Sequence, residues 1–356
     1  MKLFWTLFLL ACALPDCPAA ASPALPARAS GSKPLPFTGV NIAGGEFDHL
    51  KPGGTGRYGT DYTFPTPFEL DYFAGKGVNI IRLPFRWEDL QPRLGQPLDL
   101  ADLGRLQAVV SDATRRGMVV ILDPHNYARH YDKLVGSADV PNAAFADFWG
   151  RLAGQFKDNP RVWLGLINEP YGMPPGQWLQ SANAAIGAIR KAGARNLILV
   201  PGVAYSGAHS WIASGNGAAM LHVKDPAHHF VFDVHQYLDE DSSGTKPDVV
   251  SATIGSERLA QFTLWCRQHH QRGFLGEFAA GDTPTGRRAV EDMLTFMEKN
   301  RDVWAGYTWW AAGAWWGDYM FSVEPKNGTD APLLSLLTPH LQPRSGPDAA
   351  RRERHN

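Results

Sequence analysis

Short apolar runs bounded by Gly or Pro recur eight times between residues 38 and 310, and all but one are followed by a longer amphipathic segment. Such an alternation supplies one strand and one crossover helix per repeat, which is how parallel strands must be joined. The runs fall at 38–43, 79–84, 118–123, 162–167, 196–200, 230–234, 274–276 and 305–310. Helical segments follow at 67–74, 100–116, 143–156, 177–192, 257–270, 288–300 and 331–336, while the stretch after the fifth run reads as loop. Eight βα repeats predict an α/β chain folded as a single-domain (β/α)8 (TIM) barrel. A doubly wound sheet would instead carry a Gly-rich phosphate fingerprint after its first strand, and Gly44-Gly45-Glu46 lacks that spacing.

The flanks divide simply. Residues 1–21 hold an early lysine, an apolar run at 4–10 and the small residues Ala19-Ala20-Ala21, which together predict a secretory signal peptide. Within it, Leu9-Leu10-Ala11-Cys12 resembles a lipoprotein cleavage box, so a lipid anchor at Cys12 is a second reading of the leader. The apolar run is far shorter than the ~20 residues that span a bilayer. The mature domain is therefore expected to be secreted, with no membrane partner unless Cys12 is lipidated, and to work as a monomer. Residues 22–35, rich in Ala, Pro and Ser, predict a flexible spacer. Residues 36–342 form the barrel, and 343–356 a polar tail. Only Cys266 of the three cysteines lies in the body, which excludes a disulfide framework. Stability must come from a large core.

A net charge of -1 argues against a nucleic-acid partner, which calls for a basic stripe. The substrate is expected to be uncharged. Twelve tryptophans, with pairs at Trp309-Trp310 and Trp315-Trp316, suit stacking on the flat faces of sugars, although core packing accounts for most tryptophans in any protein.

Reactive groups of such a barrel sit at the C-terminal ends of its strands, whose exit loops share one face. The polar residues in that position are Arg82 on the second strand, His125 on the third, Asn168 and Glu169 on the fourth, His235 and Tyr237 on the sixth, Glu277 on the seventh and Trp310 on the eighth. Singly, each has an ordinary explanation: a rim ion pair for Arg82, satisfied core histidines for His125 and His235, a helix cap for Asn168. Together they are harder to dismiss, because carboxylates held near barrel walls are costly unless paired or used. Two glutamates across a barrel mouth suit glycoside hydrolysis, one protonating the leaving oxygen and the other attacking the anomeric carbon. Arg82 and Tyr237 are expected to keep Glu277 ionised as nucleophile. The negative charge of Glu277 is expected to keep Glu169 protonated until the glycosyl-enzyme forms, after which Glu169 serves as base.

Ile81-Arg82-Leu83-Pro84, Asp123-Pro124-His125-Asn126, Ile167-Asn168-Glu169-Pro170, His235-Gln236-Tyr237-Leu238-Asp239, Gly276-Glu277-Phe278 and Trp309-Trp310 occur in the order of the signature segments of glycoside hydrolase family 5, which the chain resembles from about residue 38 to 341. Residues 310–319, together with His235-Gln236-Tyr237-Leu238-Asp239, resemble its bacterial and fungal endo-β-1,4-glucanase branch. That resemblance implies a retaining mechanism, no metal or other cofactor, and a β-glucan polysaccharide as substrate. It also implies that Asn168 binds the sugar 2-hydroxyl, that His125 and His235 orient substrate and carboxylates, and that Trp310 forms the stacking floor. Trp315, Tyr205 and Trp211 are implied at outer subsites, with Tyr205 standing where many relatives carry tryptophan. Mixed-linkage glucan and mannan are the alternative substrates, because the catalytic residues are shared and loops decide the choice.

Other readings lack their residues. A metal-dependent hydrolase would show His-x-His on the first strand or His-Glu-x-x-His on a helix, and neither is present. Adjacent histidines at His228-His229 and His269-His270 read as surface residues. No Gly-x-Ser-x-Gly elbow follows a strand. A sugar-binding protein without catalysis would need the aromatics but not the two glutamates.

Overall fold

The structure, a computed structural model, describes residues 33–47 and 54–342. The leader expected at 1–21 with Cys12, most of the spacer, and the tail at 343–356 lie outside the described residues.

Eight parallel strands close into a barrel in sequence order: β1 (Phe37–Ile42), β2 (Ile80–Phe85), β3 (Val119–Pro124), β4 (Val162–Gly165), β5 (Ile198–Pro201), β6 (Phe230–His235), β7 (Gly273–Glu277) and β8 (Trp304–Ala312). The ring is sealed by β8 pairing with β1, where Thr38 faces Tyr307 and Val40 faces Trp309. Helices α1 (Pro67–Gly75), α2 (Leu100–Arg115), α3 (Asn142–Phe156), α4 (Pro175–Lys191), α5 (Ile254–Gln268) and α6 (Pro284–Lys299) surround it. Their starts follow local chemistry: Thr66 and Glu69 form a capping box for α1, and Asp99 accepts from the backbone of Ala101 and Asp102 at α2. As expected, β5 is followed by loop, interrupted only by the short helix Asn216–Ala219 and the turn Met220–His222. The last helical segment is shorter than expected, a single turn at Leu334–Leu337 followed by a 3-10 turn at Thr338–His340. A hairpin of Arg129–His130 and Lys133–Leu134 was not foreseen, since two-residue strands carry no periodicity. His228, His229, His269 and His270 are exposed.

Alternation along the strands explains where the site lies. Ile80, Val119, Ile121, Trp163, Leu199, Val231, Phe274 and Ala305 form one apolar cluster, to which every strand but β1 contributes, and Phe37 packs against it from β1. Two residues further along, on the same side of the pleat, come Arg82, Asp123, Asp233 and then His235. The barrel interior thus passes from an apolar plug to a polar layer to the rim. The outward-facing residues join the helices in a second, larger core. From α3, for example, Phe145, Phe148, Trp149, Leu152 and Phe156 are all buried there, each worth about 1.5–3 kcal/mol of burial. Among the described residues no helix is long and apolar enough to cross a membrane.

Candidate active site

Arg82 anchors the polar layer. Buried in β2, it donates from Nη1 to Asn41 Oδ1 (2.9 Å) and Glu277 Oε1 (2.7 Å), and from Nη2 to Asn168 Oδ1 (2.6 Å), with Asp123 Oδ2 at 3.0 Å. The planar guanidinium therefore serves four acceptors, which a lysine could not match. Asn41 itself is tied by Nδ2 to the carbonyls of Gly276 (2.9 Å) and Trp309 (3.1 Å), so β1 braces both the strand that carries Glu277 and its neighbour β8.

Glu277 ends β7 and is buried. Tyr237 donates its hydroxyl to Glu277 Oε2 at 2.8 Å, opposite the oxygen held by Arg82. Burial alone would raise this carboxyl, but His235, Arg82, His125 and the Tyr237 hydroxyl outweigh it and hold Glu277 down to about 2. Gly276 before it admits no side chain, because a β-carbon there would lie 2.4 Å from Asp233 Oδ1 and 2.9 Å from His235 Nε2.

Glu169 lies four residues beyond the end of β4, in a left-handed conformation with φ 41°. The backbone of this segment stays tied to β3 through Asn168 N–H and Pro124 O (2.9 Å), so the fourth run ends earlier as regular strand than its apolar length suggests. Glu169 Oε1 meets His235 Nδ1 at 2.7 Å, and the same nitrogen is 3.5 Å from Glu277 Oε2. Glu169 is raised, first by burial and then by the charge of Glu277, against the pull of His235. The expected cause, repulsion by Glu277, is therefore present but second to desolvation. His235 is correspondingly raised to about 9, as Glu277 and Glu169 together outweigh its burial. Its Nδ1 edge thus lies between the two carboxyl groups, hydrogen-bonded to Glu169 and close to Glu277.

The remaining expected residues divide. Asn168 accepts from Arg82, while its Nδ2 has no partner among the described residues, leaving a buried donor at the mouth. His125 hydrogen-bonds Asp123 Oδ2 at 2.8 Å and stacks on Trp310, ring centres 5.2 Å apart. Trp310 is buried but for 8% of its surface, with Trp316 packed edge-on against it. Tyr205 is half exposed at 51% and stacks on Tyr171. Trp315 is exposed at 41%, but the ring placed against Trp310 belongs to its neighbour Trp316. Trp211 contradicts the expectation of an outer sugar subsite. It is fully buried among Phe232, Phe262 and Trp265, and its ring faces the core.

Sequence reasoning passed over Asn41, Asp123 and Asp233. Their signal was strand parity and register: Asp123 lies two residues before His125, Asp233 two before His235, and Asn41 stands opposite Arg82 on the neighbouring strand. Burial pushes Asp233 up to about 6, and it lies beneath His235 with Oδ2 3.9 Å from Nε2. A cavity of about 600 Å³ opens beside Glu169, lined also by Tyr127, Tyr205, His209, Gln236 and Tyr237. Glu169, His235 and Glu277 each offer an atom within 4.8 Å of the others, a donor set that could converge on a metal ion. Glu277 is, however, already engaged by the Arg82 cation on one oxygen and the Tyr237 donor on the other, leaving little of its charge for a second cation.

Among (β/α)8 barrels, two carboxyl groups of opposed proton affinity, one buried and one half-buried, facing one cleft belong with the hydrolases of glycosidic bonds. The family model of cellulase (glycosyl hydrolase family 5) matches residues 33–313, and the chain belongs to this family. It is 41% identical to endo-beta-1,4-glucanase B of Aspergillus niger over 305 residues, covering 85% of this chain and 89% of that one. The endo-beta-1,4-glucanase Xac0029 of Xanthomonas axonopodis pv. citri is similar in structure, with a TM-score of 0.85, 47% identity, and coverage of 88% of this chain and 100% of that one. XacCel5A in complex with cellopentaose gives a TM-score of 0.84 at 50% identity, over 86% of this chain and 99% of that one.

Proposed function

We propose that this protein is a retaining endo-β-1,4-glucanase in which Glu277 is the nucleophile and Glu169 the acid/base. The observation that carries the reading is the opposed setting of the two carboxyl groups: Glu277 lies at about 2 between Arg82 and Tyr237, and Glu169 is raised above the ordinary range. Their nearest oxygens lie within 4.8 Å. Retaining enzymes place these groups about 5–5.5 Å apart, whereas inverting ones leave about 6.5–9.5 Å for a water molecule.

A Glu277 oxygen attacks the anomeric carbon while the glycosidic C–O bond breaks and the Glu169 proton passes to the leaving oxygen. Acylal formation removes the charge of Glu277, so the repulsion that helped keep Glu169 protonated disappears. Glu169 then takes a proton from water, whose oxygen attacks the anomeric carbon and frees Glu277 with the configuration retained. Asn168 Nδ2 is free to hold the 2-hydroxyl, and Trp310 offers its face as floor. The relatives named above for β-1,4-glucan cleavage favour that linkage over mannan or mixed-linkage glucan. The leader supports export, which would bring the enzyme to its polymer outside the cell.

Rates of reducing-end release from carboxymethylcellulose, barley glucan, xylan and mannan, for the wild type and for Glu277→Gln, test the reading. Carboxymethylcellulose or barley glucan is expected to lead, with the variant reduced at least about 10⁴-fold because the nucleophile is lost. A mannan preference refutes the linkage, and substantial activity of Glu277→Gln refutes the assignment.

A further inference from the structure

The cavity beside Glu169 ends in a three-layer stack that the chemistry above does not use. The guanidinium of Arg129 lies 3.8 Å from the ring centre of Tyr171. The opposite neighbour of Tyr171 is Tyr205, with ring centres 4.7 Å apart and planes 14° from parallel. Tyr127 meets Tyr171 edge-on, which confines the middle ring from the side. Among the described residues Arg129 pairs with no carboxylate; its hydrogen bond goes to the Tyr127 carbonyl at 2.7 Å. Its charge therefore faces an aromatic ring and a carbonyl dipole.

Backbone conformation sets both ends of this stack. Tyr127 and Ala128, immediately before Arg129, have φ of 54° and 55°; Ala204, Tyr205 and Ser206 have 56°, 56° and 54°. These left-handed settings cost non-glycine residues roughly 1–2 kcal/mol each and persist only where surrounding contacts enforce them. The contacts are present. Tyr205 N–H donates to the carbonyl of Pro170 (3.2 Å), the residue between Glu169 and Tyr171, and Ser206 Oγ accepts from Gly202 N–H at 3.0 Å. The half-exposed ring of Tyr205 is thereby tied to the segment that carries Glu169.

The cavity is lined by Glu169 and not by Glu277. Since the acid protonates the departing oxygen, this is the leaving-group side of the cleft. We propose that Arg129 is a positioning residue which, through Tyr171, fixes Tyr205 as a stacking platform for a glucosyl unit on the leaving-group side of Glu169. This rests on the endoglucanase reading. The guanidinium holds Tyr171 flat, Tyr171 backs Tyr205, and the outer face of Tyr205 is left for a sugar ring. The contribution appears only when the substrate reaches beyond the cleaved bond.

The test compares Arg129→Gln, Arg129→Lys and Tyr205→Ala on cellopentaose and on an aryl β-cellobioside, whose leaving group is one aromatic ring. Arg129→Gln is expected to raise KM for cellopentaose roughly two- to fivefold more than KM for the aryl glycoside, the ratio that one exposed cation–π contact represents. The kcat values should follow one another on the two substrates. Arg129→Lys should recover part of the difference, and Tyr205→Ala should show it at least as strongly. Because Tyr205→Ala alters only a half-exposed ring, it keeps the test decisive if Arg129→Gln does not fold. Equal effects on both substrates, or no recovery with lysine, overturn the proposal. A wild type inactive on both overturns the endoglucanase reading and the proposal with it, whereas an active wild type with unchanged variants overturns the proposal alone.

Discussion

Replacing Arg82 by methionine keeps much of its length and removes its charge and all its donors. Four acceptors lose the guanidinium at once: Asn41 Oδ1, Asn168 Oδ1, Glu277 Oε1 and Asp123 Oδ2, at 2.9, 2.6, 2.7 and 3.0 Å, and only Asp123 Oδ2 keeps another partner, His125. Breaking a buried ion pair from one side costs about 3–5 kcal/mol, and the extra acceptors place this case at the upper end. The electrostatic ceiling follows from Coulomb's law: at an effective dielectric of ~20 and ~4 Å between charge centres the attraction is about 4 kcal/mol, or roughly three pH units. His235, His125 and Tyr237 remain beside Glu277 in the variant, so an upward shift of about one to two units is expected. The acid limb of kcat/KM, set in the wild type by Glu277 at about 2, should move accordingly.

Stability must follow the same sign. Glu277 is depressed when folded, so its contribution is fully present above the ordinary carboxyl value near 4.5 and is lost as pH falls through about 2. Urea unfolding should therefore show the widest gap between wild type and Arg82→Met at neutral pH, narrowing towards pH 2. Circular dichroism confirms that the variant folds before its pH profile is read. A folded variant whose acid limb stays at the wild-type position would refute the view that Arg82 holds the nucleophile ionised.

Two further predictions lie away from the cleft. His340 is fully buried between Glu298 Oε1 (2.9 Å, from Nδ1) and Glu291 Oε2 (2.9 Å, from Nε2), and it can donate to both only as the imidazolium. Burial lowers its pKa, but the two carboxylates outweigh this and raise it. Its contribution is therefore complete below the ordinary histidine value near 6.5 and lost as pH rises through the raised one. His340→Gln should cost about 1–3 kcal/mol at pH 5.5 and clearly less at pH 9.5 by urea titration; an equal cost at both pH values would sink the argument. Trp211→Ala should destabilise the fold by about 3–5 kcal/mol through the cavity it leaves while KM for cellopentaose stays put, whereas a selective rise in KM would return Trp211 to the substrate path.

The parts of this molecule legible in its sequence are those governed by period. Buried parallel strands read as continuous apolar runs, so all eight were found within two residues or so of their ends, and Arg82, Glu169, His235 and Glu277 followed because a barrel places strand ends on one rim. Tyr237 and His125 lie where their segments put them. Less legible were groups whose meaning depends on partners far away in the chain. Asp123 and Asp233 read as ordinary strand aspartates until Arg82 and His235 are seen over them. Trp211 and Tyr205 lie six residues apart in one loop, with nothing local to say that one faces core and the other solvent. The Arg129–Tyr171–Tyr205 stack joins three separate connections, and no spacing in a single chain segment could announce it.

Twelve described residues other than glycine adopt left-handed φ, and ten of them lie in connections that leave the C-terminal ends of strands; only His228 and His270 lie on the opposite rim. Conformational cost is thus concentrated on the face that carries the cleft, while the other face is built from relaxed turns. For anyone seeking a more heat-resistant form, the two rims offer different bargains. Glycine at Ala128 or Ala204 would relieve a local penalty and firm up the fold, yet loosen the aim of the side chains that these turns present. Changes on the far rim carry no such conflict, and stabilising substitutions should accumulate there without touching turnover.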